Sequence, residues 1–246
     1  MALHLAIHDD PASNARAVTE QLDSWGRDAL AARERFVVSL AGGSTPPEIY
    51  RLWAETSRLD WPRVDFLYGD ERCVPPDHAD SNHGMVRAAL LERLKAQPRV
   101  FPMAGENPDP TAAARDYEQV LRDVLGDDGR IDVALLGIGG DGHTASLFPD
   151  GIALNKAALD ETERRCVANR APDGSDRLTL TFPELRRARR LMFLAVGEGK
   201  AAILQEILEG PLQPKRLPSQ TLLRDDALEC HLFCDRAAVR QLKSTE

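Results

Sequence analysis

The 246-residue chain is expected to fold as one α/β domain, an open and mostly parallel sheet with helices on both faces. Short runs rich in Val, Ile, Leu and Phe alternate with helix-length stretches from Leu3 to the end. The run Ile131-Asp132-Val133-Ala134-Leu135-Leu136 is apolar on both faces in all but one position, the mark of a buried parallel strand. Strand-like runs also end in Gly-rich or charged turns, where open α/β sheets bind ligands. With 43% apolar residues the chain can bury a full core, and no composition shift, repeat or low-complexity segment marks a second domain.

The elements follow in order. A first strand is expected at Leu3 to His8 and a long helix at Ala12 to Arg33. The apolar strand Phe36 to Leu40 opens onto Ala41-Gly42-Gly43-Ser44-Thr45-Pro46-Pro47-Glu48, and a helix runs from Pro46 to about Glu55. Ser44 or Thr45 can cap that helix, and the prolines suit a first turn whose amides have no helical partner. The strand Val64 to Tyr68 is followed by the charged loop Gly69-Asp70-Glu71-Arg72-Cys73, and Asp80-Ser81-Asn82 starts a helix reaching about Lys95, with Asn82 as its cap.

Further strands are expected at Val100 to Met103, Ile131 to Leu136, Arg165 to Ala168, Leu178 to Leu180, Leu191 to Val196 and Cys230 to Phe233. Helices are expected at Thr111 to Leu125 and Lys200 to Glu209, and Asn107 to Pro110 and Gly126 to Gly129 read as loops within the domain.

The densest chemistry lies in Gly137-Ile138-Gly139-Gly140-Asp141-Gly142-His143-Thr144-Ala145-Ser146-Leu147, directly after the strand Ile131 to Leu136. Gly137 to Gly142 match G-x-G-x-x-G, yet Pro149 and Gly151 leave no room for the helix that a dinucleotide pyrophosphate needs. The glycines suit close backbone approach to an anion or oxyanion, with Asp141 and His143 supplying acid/base groups and Gly140 among the substrate contacts. Taken alone, the segment has a tight turn with a surface histidine as its lesser alternative reading.

Gly42, Gly43, Ser44 and Thr45 form a candidate phosphate cradle, with amides and hydroxyls around a helix start. No Gly-Lys-Ser/Thr follows, so it is not a nucleotide P-loop. Arg72 offers a planar fork for phosphate or carboxylate oxygens, and Asp70 could bind sugar hydroxyls or move a proton. An internal ion pair within that loop is the plain alternative. Arg177 and Lys200 sit near strand ends and are candidate phosphate ligands, although lone cations at element boundaries are usually solvated. His78 and His83 flank the Asp80-Ser81-Asn82 turn and could line the same cleft.

Together these segments resemble the 6-phosphogluconolactonase family, within the wider group that includes glucosamine-6-phosphate isomerase/deaminase. The carrying residues are Ala41 to Pro46, Gly69 to Arg72, Asp80 to Asn82, Gly137 to Pro149, Arg177 to Thr181 and Gly197 to Lys200. The resemblance implies a Rossmann-like sheet and hydrolysis of 6-phosphoglucono-δ-lactone to 6-phosphogluconate, the second step of the oxidative pentose phosphate pathway. It carries Ser44, Thr45, Arg72, Arg177 and Lys200 over as the phosphate and substrate shell.

One position separates the branches of the group. Where the isomerase/deaminase branch carries a glutamate five residues after the loop histidine, this chain has Phe148. An apolar ring cannot shuttle protons, whereas lactone hydrolysis needs only an activated water. The expected mechanism has neutral His143 taking a proton from water as it attacks the carbonyl. Asp141 would orient the imidazole or bind a sugar hydroxyl, backbone amides of Gly139 to Gly142 would face the oxyanion, and Arg72 would neutralise charge there. A sugar-phosphate isomerase and a non-catalytic sugar-phosphate sensor are the competing readings.

A net charge of -8 argues against nucleic acid as partner, and requires that local cations outweigh the acidic surface for an anionic substrate. The run Arg186-Arg187-Ala188-Arg189-Arg190 reads as a solvated helix end. No apolar run is long enough to span a bilayer, and Met1-Ala2-Leu3-His4 lacks the start of a secretory signal, so a cytoplasmic protein is expected. Cys73, Cys166, Cys230 and Cys234 lack zinc spacing and read as reduced thiols, so no metal and no cofactor are expected. A monomer is consistent with the sequence.

Overall fold

A computed structural model describes residues 3–126, 129–149 and 163–243; Gly151 and the Asp127-Asp128 pair lie outside the described residues. The first half of the chain runs β1 (His4–His8), α1 (Pro11–Ala32), β2 (Phe36–Leu40), α2 (Pro46–Thr56), β3 (Val64–Tyr68), β4 (Asp70–Arg72), α3 (Asn82–Ala89), β5 (Arg99–Val100) and α4 (Pro110–Leu125). There follow β6 (Val133–Gly137), β7 (Cys166–Arg170), β8 (Asp176–Leu180), α5 (Phe182–Arg187), β9 (Arg190–Ala195), α6 (Ala201–Glu209), α7 (Gln220–Leu223), β10 (Cys230–Asp235) and α8 (Arg236–Val239).

Seven strands form one parallel sheet in the order β1-β10-β9-β6-β2-β3-β5. Every residue of its interior strands β2 and β3 is buried, so these largely apolar runs are those of strands covered on both faces. From β1 to β2, β2 to β3 and β3 to β5 the chain moves one way across the sheet, and from β5 to β6, β6 to β9 and β9 to β10 it moves back. Right-handed crossovers therefore place α1, α2 and α3 on one face and α4 and α6 on the other. The reversal falls between β2 and β6, neighbours whose continuations leave in opposite directions. At such a switch point the loops at the carboxyl ends of the strands part and leave a crevice.

A second sheet departs from the expected single one. β4, β8 and β7 form a three-stranded antiparallel sheet, so Asp70–Arg72 is a strand rather than a loop. The register puts Asp70 opposite Thr179, Arg72 opposite Arg177 and Asn169 opposite Arg177. Since side chains alternate along a strand, Asp70, Arg72, Asn169, Arg177 and Thr179 share one face. Cys166, Ala168, Leu178 and Leu180 share the other, on the side of α4, whose Glu118 accepts hydrogen bonds from the Arg164 side chain and the Arg165 and Cys166 amides.

Other boundaries shift for local reasons. The fourth expected strand shortens to Arg99–Val100, because its continuation is a turn through Met103 and Gly105. The helix after Asn82 ends at Ala89 and is followed by a 3-10 turn at Leu91–Arg93 instead of reaching Lys95. Its cap is Ser81, whose hydroxyl accepts the Gly84 amide at 3.0 Å, and not Asn82. Thr45 stands at the N-cap of α2 but makes no capping hydrogen bond with its side chain.

Buried charge closes the end of the sheet away from the crevice. Asp65, fully buried, accepts from Arg35 at 2.7 Å and from Arg99 at 2.7 Å. Asp132 accepts from Arg33 at 2.6 Å and from the Val37 amide at 2.9 Å, with Arg189 at 3.2 Å. The basic run Arg186 to Arg190 stays partly exposed but is more than a solvated end, because its cations are paired: Arg189 meets Asp132, Arg190 meets Glu229 at 2.7 Å, and Arg186 lies 3.4 Å from Asp225. Among the described residues no helix is long and apolar enough to cross a membrane.

Candidate active site

At the carboxyl ends of β2 and β6 lies a cavity of about 360 Å³. Its walls are the loop after β2, the turn after β6, the face of β4 and the start of the segment that leads into α6. Nine of the eleven residues expected at the site line it, namely Gly42, Gly43, Ser44, Thr45, Asp70, Arg72, Gly140, His143 and Lys200, and Asp141 stands behind them, bonded to His143. Arg177 is set apart. It lies on the cavity-facing side of the small sheet beside Arg72, but its guanidinium turns to Asp173, 3.8 Å away, and does not line the cavity.

The loop after β2 is held from below. The Tyr50 hydroxyl on α2 donates to the Ala41 carbonyl at 2.8 Å and accepts the Ala41 amide at 2.9 Å, which fixes the point where the chain leaves the sheet. Gly43 follows with φ 95°, a left-handed conformation that favours glycine. Among the described residues the amides of Gly43 and Ser44 have no intramolecular partner, so they face the cavity as open donors at the start of α2. Gly42 has a steric requirement of its own, because a Cβ there would overlap the Asn82 side-chain amide.

Asn82 was legible only as a cap, and its actual role is to lock two walls together. Its Nδ2 donates to the Asp70 carbonyl at 2.9 Å and lies 3.3 Å from Oδ1 of the same residue. Its own amide donates to Glu71 Oε1 at 2.7 Å. Glu71 is buried and also accepts from the Arg72 amide, the His83 amide and the Ser81 hydroxyl. Burial pushes its carboxyl above the usual range in spite of the backbone hydrogen bonds. The Arg72 guanidinium bonds the Asp80 carbonyl, so the loop between β4 and α3 is closed on itself and holds the cation at the cavity rim. Neither His78 nor His83 lines the cavity; His83 pairs with the Tyr68 hydroxyl at 2.8 Å, and burial lowers its pKa.

The turn after β6 carries the acid/base pair. Its conformation rests on Gly142 at φ 86° and Ala145 at φ 48°, and no helix follows it as far as Pro149, which disposes of the dinucleotide reading. Gly139 N donates to His143 O at 2.9 Å and Gly142 N to Gly139 O at 3.1 Å, so these two amides are used within the turn and are not oxyanion donors. The Gly140 amide, on the cavity wall, has no partner among the described residues. Gly139 is obligatory, since a Cβ there would strike both the His143 ring and the Asp141 carboxylate.

Asp141 Oδ1 accepts from His143 Nδ1 at 2.5 Å, so the geometry selects imidazole orientation over the alternative of a sugar hydroxyl for that oxygen. Burial pushes the Asp141 carboxyl up, but the hydrogen bonds from the His143 ring and amide outweigh it and hold the group below the usual aspartate value. The Phe148 ring packs against the imidazole at 4.8 Å between centroids. Lys200 Nζ reaches back across the cavity to the Ile138 carbonyl at 2.6 Å, bringing a cation to the same turn. The cysteines take no part: burial pushes Cys73 up to about 11 and Cys230 and Cys234 each up to about 12, so all three stay protonated thiols. Among the described residues no group of three or more His, Cys, Asp or Glu side chains is placed to hold a metal ion.

An imidazole tied at Nδ1, open amides on two loops and two cations around one cavity form a site suited to a phosphorylated, hydrolysable small molecule. Comparison with known proteins points the same way. Residues 9–230 match the family model of glucosamine-6-phosphate isomerases/6-phosphogluconolactonase. The chain is 37% identical over 215 residues to a 6-phosphogluconolactonase of Treponema pallidum, covering 85% of this chain and 87% of that protein. It is 33% identical over 237 residues to one of Rhizobium meliloti, covering 95% and 99%. The crystal structure of a 6-phosphogluconolactonase from Shewanella baltica superposes with a TM-score of 0.85 at 25% identity, covering 95% of this chain and 97% of that one. The chain belongs to the glucosamine-6-phosphate isomerase/6-phosphogluconolactonase family.

Proposed function

We propose that this enzyme hydrolyses 6-phosphoglucono-δ-lactone to 6-phosphogluconate, with His143 as the general base. The carrying observation is the His143–Asp141 pair, whose Nε2 has no partner among the described residues and whose ring lines the cavity. A δ-lactone is an activated ester, so catalysis requires a positioned water, a base and charge stabilisation, and no covalent nucleophile.

The substrate phosphate is assigned to the Gly42 to Thr45 loop, whose open amides and helix start suit a dianion, with Arg72 beside it. With the phosphate there, the lactone ring reaches towards the His143 turn. Water adds to the carbonyl carbon and gives a proton to Nε2 while Asp141 stabilises the imidazolium that forms. The Gly140 amide and Lys200 are the candidate donors to the oxyanion. The ring C–O bond then breaks, the carbonyl re-forms as the acid, and the departing ring oxygen takes the proton from His143 to become a hydroxyl. Asp70, with both oxygens engaged by neighbouring side chains, serves as an acceptor for a sugar hydroxyl and not as the base.

Phe148 favours this branch over sugar isomerisation, because the side chain packed against His143 has no proton to move. The test is hydrolysis of freshly generated lactone, read by coupled NADP reduction with 6-phosphogluconate dehydrogenase, against the spontaneous rate. A clear excess over the spontaneous rate is expected. A rate equal to it, with 6-phosphogluconate still bound, would leave a sensor; turnover of an amino sugar phosphate instead would place the protein in the other branch.

A further inference from the structure

Three residues beyond His143, Ser146 is almost wholly buried, and each of its three polar groups is taken by a different strand of the small antiparallel sheet. Its hydroxyl donates to Asp70 Oδ2 on β4 at 2.6 Å. Its amide donates to the Thr179 hydroxyl on β8 at 3.2 Å. Its carbonyl accepts from Asn169 Nδ2 on β7 at 2.6 Å. The register explains the convergence, since Asp70 and Thr179 are directly opposed and Asn169 lies on the same face. These partners are themselves fixed: Thr179 donates to the Leu180 carbonyl at 3.1 Å, and Asn169 Oδ1 accepts the Arg170 amide at 2.7 Å.

We propose that Ser146 is a positioning residue that ties the turn carrying His143 to the small sheet and, through Asp70, sets the distance between base and substrate-binding wall. The inference rests on His143 being the base. The segment between His143 and Ser146 has little freedom to absorb a displacement. Thr144 is fully buried with its hydroxyl on the Gly137 carbonyl at 2.9 Å, Leu147 N returns to Thr144 O at 3.0 Å, and Ala145 is held at φ 48°. A shift at Ser146 is therefore passed to the imidazole. The serine is no nucleophile, because its buried hydroxyl is already committed as donor to a carboxylate. Without that donor the Asp70 carboxylate keeps only the long contact to Asn82 and turns freely in the cavity wall.

Ser146→Ala is expected to lower kcat by about tenfold or more, the usual weight of one hydrogen bond to a charged group. Ser146→Ala and Asp70→Asn act on one link, so the double variant should lose no more than the worse single variant, within about twofold. Lowered thermal stability of Ser146→Ala with kcat per folded molecule unchanged would mark Ser146 as a fold element only, and kcat losses that multiply in the double variant would mean that Ser146 and Asp70 act independently; either result overturns the proposal. Asn169→Ala, outside the cavity lining, keeps the test open should Ser146→Ala fold poorly: a fall in kcat with KM within about twofold supports the anchor, and wild-type kcat rejects it. His143→Asn is measured alongside. If it stays active, the base assignment fails; if it is inactive while Ser146→Ala and Asn169→Ala are fully active, the anchor alone fails.

Discussion

Asp141 Oδ1 sits 2.5 Å from His143 Nδ1 and also accepts the His143 amide at 3.1 Å. One carboxylate oxygen thus holds both the ring and the backbone of the residue it serves. A donor relationship at Nδ1 leaves Nε2 as the acceptor facing the cavity, the tautomer a water-activating base needs. His143→Asn is expected to cut kcat by about a hundredfold or more, measured as lactone hydrolysis above the spontaneous rate. Full activity in that variant would remove His143 from the mechanism.

Asp141→Asn keeps the size of the side chain but loses the charge that favours the imidazolium. The expected fall in kcat is about tenfold or more, with KM little changed, because the residue reaches the substrate only through His143. A change confined to KM would instead indicate direct contact with the sugar.

Arg72→Ala removes the one arginine that lines the cavity among the described residues. KM should rise by about tenfold or more, the weight of a charge-assisted hydrogen bond to phosphate. Arg177→Ala serves as the comparison. Its guanidinium is turned to Asp173 and should matter far less, as paired saturation curves would show.

Gly42→Ala tests the crevice sterically. The added methyl runs into the Asn82 amide, so either the loop or Asn82 must move. Overpacking of this kind costs about 1–3 kcal/mol, and because it falls on the phosphate loop it should show as a raised KM. An unchanged KM would mean that Asn82 yields without cost.

Asp65 links stability to pH. Burial pushes its carboxyl up, but Arg99 and Arg35 outweigh this and hold it below the usual aspartate range. A lowered folded-state pKa stabilises the protein above the unfolded value, about 4, and that contribution is lost as pH falls through the lowered one. Asp65→Asn should cost about 3 kcal/mol at pH 7 in urea unfolding, and the difference from wild type should shrink steadily as pH is lowered below about 4, where the wild type begins to lose the same interaction. An equal cost at every pH would show that the effect is one of packing.

The sheet was readable from sequence because most of its strands are short, mainly apolar runs, and the candidate site because Gly42 to Thr45 and Gly139 to His143 are short contiguous signals. What stayed hidden depends on partners far away in the chain. Asp70–Arg72 has the composition of a loop and becomes a strand only by pairing with Arg177 to Thr179. Asn82 looks like a cap until the loop carrying Gly42 comes to rest against it. Ser146 is one small residue in a run of small residues, and nothing local shows that three strands converge on it. Arg177 failed the other way, since its position on the right face said nothing of the Asp173 carboxylate that draws it aside.

The small sheet also bears on the order in which this molecule comes into being. Its strands are drawn from segments roughly a hundred residues apart, and closing so long a loop is slow compared with forming the contiguous strand–helix units of the main sheet. During synthesis the His143 turn is made before Asn169 and Thr179, and emerges ahead of them. A chain truncated ahead of β7 would carry the base and the phosphate loop without the strands that hold the turn or the Lys200 cation, so competence would arrive late in synthesis.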